Sequence, residues 1–137
     1  MLDALSKDFA FPQRALGLQA YRTEVLAGNM ANAETPNYKA VDFDFATALK
    51  SAMSGSGNGD LALNATDPRH FSTTPTGDGL GAKMQYRSAV QPSIDGNTVD
   101  MDLERGEYMD NALQYQATLT FMNDRISTLK TAITSGS

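Results

Sequence analysis

The chain has no cysteine, no tryptophan and a single histidine in 137 residues. Without thiols there can be no disulfide, thiolate zinc site, iron–sulfur cluster or cysteine nucleophile, and the redox compartment stays open. The histidine, His70, sits in Asp67-Pro68-Arg69-His70-Phe71. No ligands surround it at metal-binding spacing, and a proline-bearing polar turn is a poor scaffold for pairing it with Asp67 or Ser72 as base and nucleophile. No catalytic residue, cofactor or metal is expected. Basic residues are scarce, 11 against 16 acidic, for a net charge of −5. No basic patch is interleaved with aromatics, which argues against nucleic acid and against an anionic membrane surface. No apolar run approaches the roughly 20 residues of a spanning helix, and the opening MLDALSKDFAFPQRALGLQ lacks a signal-peptide core. No direct membrane insertion is expected, and work outside the cytoplasm would require export without a cleaved signal.

The apolar residues that are present gather at the two ends. Tyr108, Ala112, Tyr115, Leu119, Met122, Ile126, Leu129 and Ile133 follow spacings of 4, 3, 4, 3, 4, 3 and 4, a heptad stripe on one helix face. Asp110, Asn111, Gln114, Gln116, Asn123, Asp124, Arg125 and Lys130 lie between them, so the opposite face reads as polar. Gln114, Gln116 and Asn123 are candidates for registration between helices. A helix from about Asp102 to Thr134 would be roughly 50 Å long, too long for a small core to cover. Asp100 and Asp102 offer cap acceptors, and Glu104 and Glu107 put negative charge near the first turn. At the other end Leu2, Leu5 and Phe9 form a short stripe and Pro12 fits the first turn of a new helix. Leu16, Thr23, Leu26, Met30 and Ala33 continue a heptad-like face beside Ala20 and Ala27. These side chains are small, so this helix buries little area per turn and is marginal alone.

The fold class expected is therefore mainly α. Long N- and C-terminal helices pack as a coiled-coil-like pair, in segments 1–33 and 101–137, around a short irregular and β middle, 34–100. Val41-Asp42-Phe43-Asp44-Phe45 alternates as a half-buried strand with its two aspartates on the solvated face. A short helix follows from Phe45 to Met53. The tract Ser54-Gly55-Ser56-Gly57-Asn58-Gly59-Asp60 has no capacity to form a core, Gly77, Gly79 and Gly81 break the next stretch, and Met84-Gln85-Tyr86-Arg87 reads as a second strand. Asp95-Gly96-Asn97 marks a turn.

The most specific local feature is Asn29-Met30-Ala31-Asn32-Ala33-Glu34-Thr35-Pro36-Asn37-Tyr38-Lys39. Pro36 pushes Thr35 out of the helical region, so the helix ends at or before that point. Asn32 or Asn29 can bond the freed carbonyls, and Asn37 tolerates the positive φ of a type II turn that has Pro36 at its first corner. The stretch resembles the signature of the flagellar rod and hook family: asparagine, aliphatic, alanine, asparagine, two variable residues, threonine, proline, glycine, aromatic, basic. Asn29, Ala31, Asn32, Thr35, Pro36, Tyr38 and Lys39 match. Met30 stands for the aliphatic residue and Asn37 for the glycine, changes that preserve volume and backbone demand. Asn97-Thr98-Val99-Asp100-Met101-Asp102, Asn111-Ala112-Leu113-Gln114-Tyr115-Gln116-Ala117 and Ser127-Thr128-Leu129-Lys130-Thr131-Ala132-Ile133 are similar to the C-terminal region of its proximal rod members.

The resemblance implies a structural subunit that polymerises through its terminal helices into a torque-bearing tube. Leu16, Leu26, Met30, Tyr115, Leu119, Met122, Ile126, Leu129 and Ile133 would carry packing and assembly, and residues 29–39 would fix the turn. It also implies placement in the periplasmic rod of the basal body and passage through the flagellar type III export apparatus. The implied partners are other copies of the chain, other rod proteins, and membrane-ring and rod-base adaptor proteins. Read from the residues alone, the same stripe also fits a soluble helical-hairpin adaptor or binding module, since a stripe shows a demand for a partner and not the partner's identity.

Overall fold

A computed structural model describes residues 2–54, 82–91 and 93–134, with side chains from residue 7 onward. The Gly/Ser tract beyond Ser54, the His70 turn, the glycines at 77, 79 and 81 and the tail 135–137 lie outside the described residues. The order is α1 (Leu2–Ala31), β1 (Val41–Asp42), α2 (Phe45–Ser54), β2 (Gln85–Tyr86) and α3 (Met101–Thr134). The fold is mainly α, with α1 and α3 packed along each other. Side-chain pairs fix their relative direction: Asn29 with Glu104, Arg22 with Glu107, Gln19 with Thr118 and Asp8 with Arg125. Numbers fall on one helix as they rise on the other, so the pair is antiparallel. With 30 and 34 residues, the helices run about 45 and 50 Å.

Pro12 does not open a second helix. α1 passes through it without interruption. A proline inside a helix leaves the carbonyl four residues back without its donor; here that residue is Asp8, which is exposed, so solvent can serve the carbonyl while Pro12 itself is buried. The strand expected over Val41–Phe45 is also shorter, and Asp44 is the reason. Its carboxylate accepts the amides of Ala46 and Thr47 at 3.1 and 3.3 Å and the Thr47 hydroxyl at 2.8 Å, which caps α2 and turns the chain out of the strand. β1 keeps two residues and pairs antiparallel with β2, Val41 opposite Tyr86 and Asp42 opposite Gln85. Asp100 caps α3 in the same way, accepting the amides of Asp102 and Leu103 at 3.0 and 3.2 Å.

The apolar core is not where the heptad stripe places it. Leu18, Phe43 and Ala48 are its buried residues, with Tyr21, Val25, Phe45, Leu49 and Ala82 packed around them, and the rings of Tyr21 and Phe43 stack 5.6 Å apart. This is a contact of α1 with the middle of the chain. Complete burial of a side chain such as Leu18 contributes about 1.5–3 kcal/mol, enough to anchor α2 and β1 onto one face of α1. The other face is left for α3.

Candidate functional site

Residues 29–39 form a junction at the end of α1. Asn32 Nδ2 donates to the Gly28 carbonyl at 2.8 Å, closing the helix end. Asn37 is the one non-glycine described residue with positive φ, 61°, and the Tyr38 amide donates back to Thr35 O at 3.2 Å. Pro36 and Asn37 thus occupy the two corners of a turn with the backbone that type II requires. The loop before α3 locks onto this turn. Asn97 Nδ2 lies 2.9 Å from each of the carbonyls of Asn32, Ala33 and Thr35, while the Asn37 amide donates to Asp95 O at 2.9 Å and the Thr98 amide to Tyr38 O at 3.0 Å. Lys39 Nζ adds a bond to Gly96 O at 2.6 Å. Gly96 has φ 74°, a conformation that favours glycine, and a Cβ there would meet Asn37 Oδ1 at 2.8 Å, so that side chain would have to shift.

Asn29 closes the junction from inside. Fully buried, it accepts the Val41 amide at 3.0 Å and donates to the Val41 carbonyl at 2.7 Å, acting as one rung of a strand ladder. It also donates to Glu104 Oε2 at 3.1 Å. Glu104 belongs to a charge cluster that no sequence pattern announces. Arg87 donates to Glu104 Oε1 at 2.7 Å and to Asp42 Oδ2 at 2.6 Å, and Arg22 donates to Asp42 Oδ2 at 2.9 Å and to Glu107 Oε2 at 2.8 Å. The Asp42 carboxylate is therefore not on a solvated strand face. Burial pushes its pKa up, but hydrogen bonds from Arg22, the Phe43 amide and Arg87, with the Arg22 charge, outweigh that and leave it below the ordinary value. For Glu104 burial wins: it lifts the pKa above the ordinary value, and the Asn29 bond and the Arg87 charge offset part of the rise.

Below the junction, α3 meets α1 along a seam rotated from the expected stripe. Tyr108, Tyr115, Met122 and Leu129 are half-buried against it. The positions that alternate with them are Glu104, Asn111, Thr118 and Arg125, not Ala112, Leu119, Ile126 and Ile133. Asn111, read from sequence as part of the polar outer face, is buried; its Nδ2 donates to the Gln19 carbonyl and to Thr23 Oγ1, both at 2.9 Å. Gln19 Nε2 reaches Thr118 Oγ1 at 3.3 Å, and Arg125 pairs with Asp8 at 3.0 Å. The amide oxygens of Gln19 and Asn111 find no donor among the described residues. The physical reason for the rotation is that α1 presents Gln19, Arg22 and Thr23 to α3, and these polar groups draw polar partners rather than the apolar column. The expected register candidates Gln114, Gln116 and Asn123 are exposed.

The displaced apolar column lies on the flank. Ala112 is exposed, Leu119 half-buried, Ile126 51 % and Ile133 76 % exposed. Ile126 and Ile133 join Phe9, Leu129, Lys130 and Thr134 in an open groove of about 410 Å3 at the far end of the pair. On α1, Leu26 is fully buried and Leu16 and Met30 half-buried, but Ala31 is exposed. Sequence reasoning missed Arg22, Asp42, Arg87, Glu104 and Asn111. A usable signal for part of it was present: Glu104, Tyr108, Asn111, Tyr115, Thr118, Met122, Arg125 and Leu129 keep the same 4, 3 spacing one residue out of phase.

A long antiparallel helix pair with an exposed apolar flank fits a structural assembly subunit. Among the described residues no group of three or more His, Asp or Glu side chains is placed to hold a metal ion, and no helix is long and apolar enough to cross a membrane. No family model matches the chain, but individual relatives do over nearly its whole length. It is 44 % identical over 138 residues to the flagellar basal body rod protein FlgB of Proteus mirabilis, covering 99 % of this chain and 100 % of that one. It is 45 % identical over 142 residues to FlgB of Escherichia coli, covering 99 % of each, and 41 % identical over 138 residues to FlgB of Salmonella typhimurium. The chain belongs to the FlgB family of flagellar basal body rod proteins.

Proposed function

We propose that the chain is a subunit of the proximal rod of the flagellar basal body, that it polymerises through its terminal helices and that it transmits torque by helix packing. The observation that carries this reading is the apolar column of half-buried Leu119 and exposed Ile126 and Ile133 on the flank of α3, in a chain that matches rod proteins over nearly its whole length. Neighbours in a tube would bury it: other copies of the chain, other rod subunits, and the membrane-ring and rod-base adaptor proteins where the rod meets the envelope. The site of action is the periplasmic rod, reached through the flagellar type III export apparatus. Thin burial at the open end supports that route, because an arm with little internal packing is unfolded at small cost and gains order on docking.

The test is a Leu119→Asp chain expressed in place of the parent, read by motility and by recovery of the chain in basal-body preparations. Absence from the basal body, with the soluble protein still helical, is the expected result. Normal incorporation and motility would remove the assembly role from this face and leave the hairpin as a closed adaptor module.

A further inference from the structure

Residues 82–91 cross the junction as a strap. Most of its described side chains lie at the surface. Gln85 and Tyr86 pair with β1 but are exposed, as are Lys83, Met84, Ser88, Ala89 and Val90. Ala82 rests against the apolar core and the Arg87 amide donates to Ala40 O at 2.8 Å. Yet this strap supplies the guanidinium that bridges Asp42 of β1 and Glu104 of α3. The groups in the cluster are Arg22 of α1, Asp42, Arg87, Glu104 and Glu107, with Asn29 as a neutral donor. With the strap in place, two cations face three carboxylates. Without it, Arg22 alone faces the same three, and the Glu104 side chain, 0 % exposed, has only the Asn29 amide.

We propose that the strap is a gate on the helix pair: α3 docks its first turns against α1 only when residues 82–91 have closed and Arg87 has entered between Asp42 and Glu104. The physical basis is the cost of an unpaired buried charge. Apart from Ala82 and Arg87 the described strap residues lie at the surface, so the Arg87 bridge is its main hold, and leaving a buried carboxylate without its cation is strongly unfavourable. Closing the strap and docking the first turns of α3 are thereby coupled, and that end of the helix pair is not completed until the middle of the chain is in place. This concerns order within one chain and stands independently of the rod reading.

Amide exchange on the full chain tests it with Arg87→Met, which keeps the stem and removes the charge, and with the double variant Arg87→Met/Glu104→Met, which removes the carboxylate as well. In Arg87→Met, protection of residues 104–111 is expected to drop at least about tenfold, and in the double variant to return to within about threefold of the parent. In Arg87→Met it should also rise as pH is lowered, since protonating Glu104 removes the unpaired buried charge. Parent-like protection in Arg87→Met overturns the gate. So does a double variant that stays unprotected, or an acid series without a rise, since Arg87 would then matter for packing and not for charge. If Arg87→Met alone unfolds, the double variant and the acid series still decide.

Discussion

At the junction end of the helix pair Leu26, Asn29 and Glu104 are fully buried, while at the open end Phe11, Phe121 and Ile126 are about half exposed and Ile133 more so. The two ends are held by different means. The junction is built from directional bonds to three elements: Asn29 to β1 and α3, Arg87 to β1 and α3, Asn97 to the end of α1. Among the described residues the open end has an exposed ion pair, Asp8 with Arg125, worth at most about 1 kcal/mol, and an open apolar groove. One end of the subunit completes itself, and the other presents unfinished surface. That division suits a rod subunit, which needs a fixed local geometry at one place and compliance toward neighbours at another.

The largest effect should come from breaking the finished end. Asn29→Ala strands the Val41 amide and carbonyl and removes a donor from buried Glu104, and is expected to cost about 3 kcal/mol in thermal or denaturant unfolding. Asn97→Ala removes the donor that serves three carbonyls. A loss of about 2 kcal/mol is expected, with amide exchange rising first at residues 29–35. Asn111→Leu sharpens the comparison from the seam. It deletes an unpaired acceptor along with two bonds, so the melting temperature should move by the equivalent of about 1 kcal/mol or less in either direction. At the unfinished end, Ile133→Asp should leave monomer stability within about 0.5 kcal/mol while depressing assembly measured by sedimentation.

Acid should also act at the junction. Asp42, with its folded pKa below the ordinary 3.8, contributes stability above that value and loses it as pH falls through the folded pKa. Glu104, raised above 4.5, contributes in the opposite sense, favouring the fold below its ordinary value and losing that contribution as pH rises through the folded pKa. Asp42→Asn should flatten the acid limb of a melting-temperature profile between about pH 4 and pH 2, and Glu104→Gln should leave that limb in place.

The helices, the short strands and the turn at Pro36 and Asn37 were legible because they rest on local rules: heptad spacing, the proline restriction, and asparagine in the left-handed region. The cap at Asp100 was legible for the same reason, whereas Asp44, read as a solvated strand residue, caps α2 instead. The phase of α3 was not. Apolar spacing favours the column of Ala112, Leu119, Ile126 and Ile133, and only the polar residues of α1 that face it, Gln19, Arg22 and Thr23, turn the helix by one position. The charge cluster was invisible for a related reason. Arg22, Asp42, Arg87 and Glu104 are far apart in sequence, and each alone reads as a solvated charge. Pro12 was misplaced because a helix with enough partners on either side of a proline runs through it.

Amide exchange across a concentration series, followed at residues 119–134 and 104–111 together, tests the division most directly. If the open end is completed by neighbours, residues 104–111 are protected at every concentration, and residues 119–134 gain protection in step with particle mass. Protection of residues 119–134 in the dilute monomer equal to that of the junction would contradict the account, because the open end would then be finished within the chain.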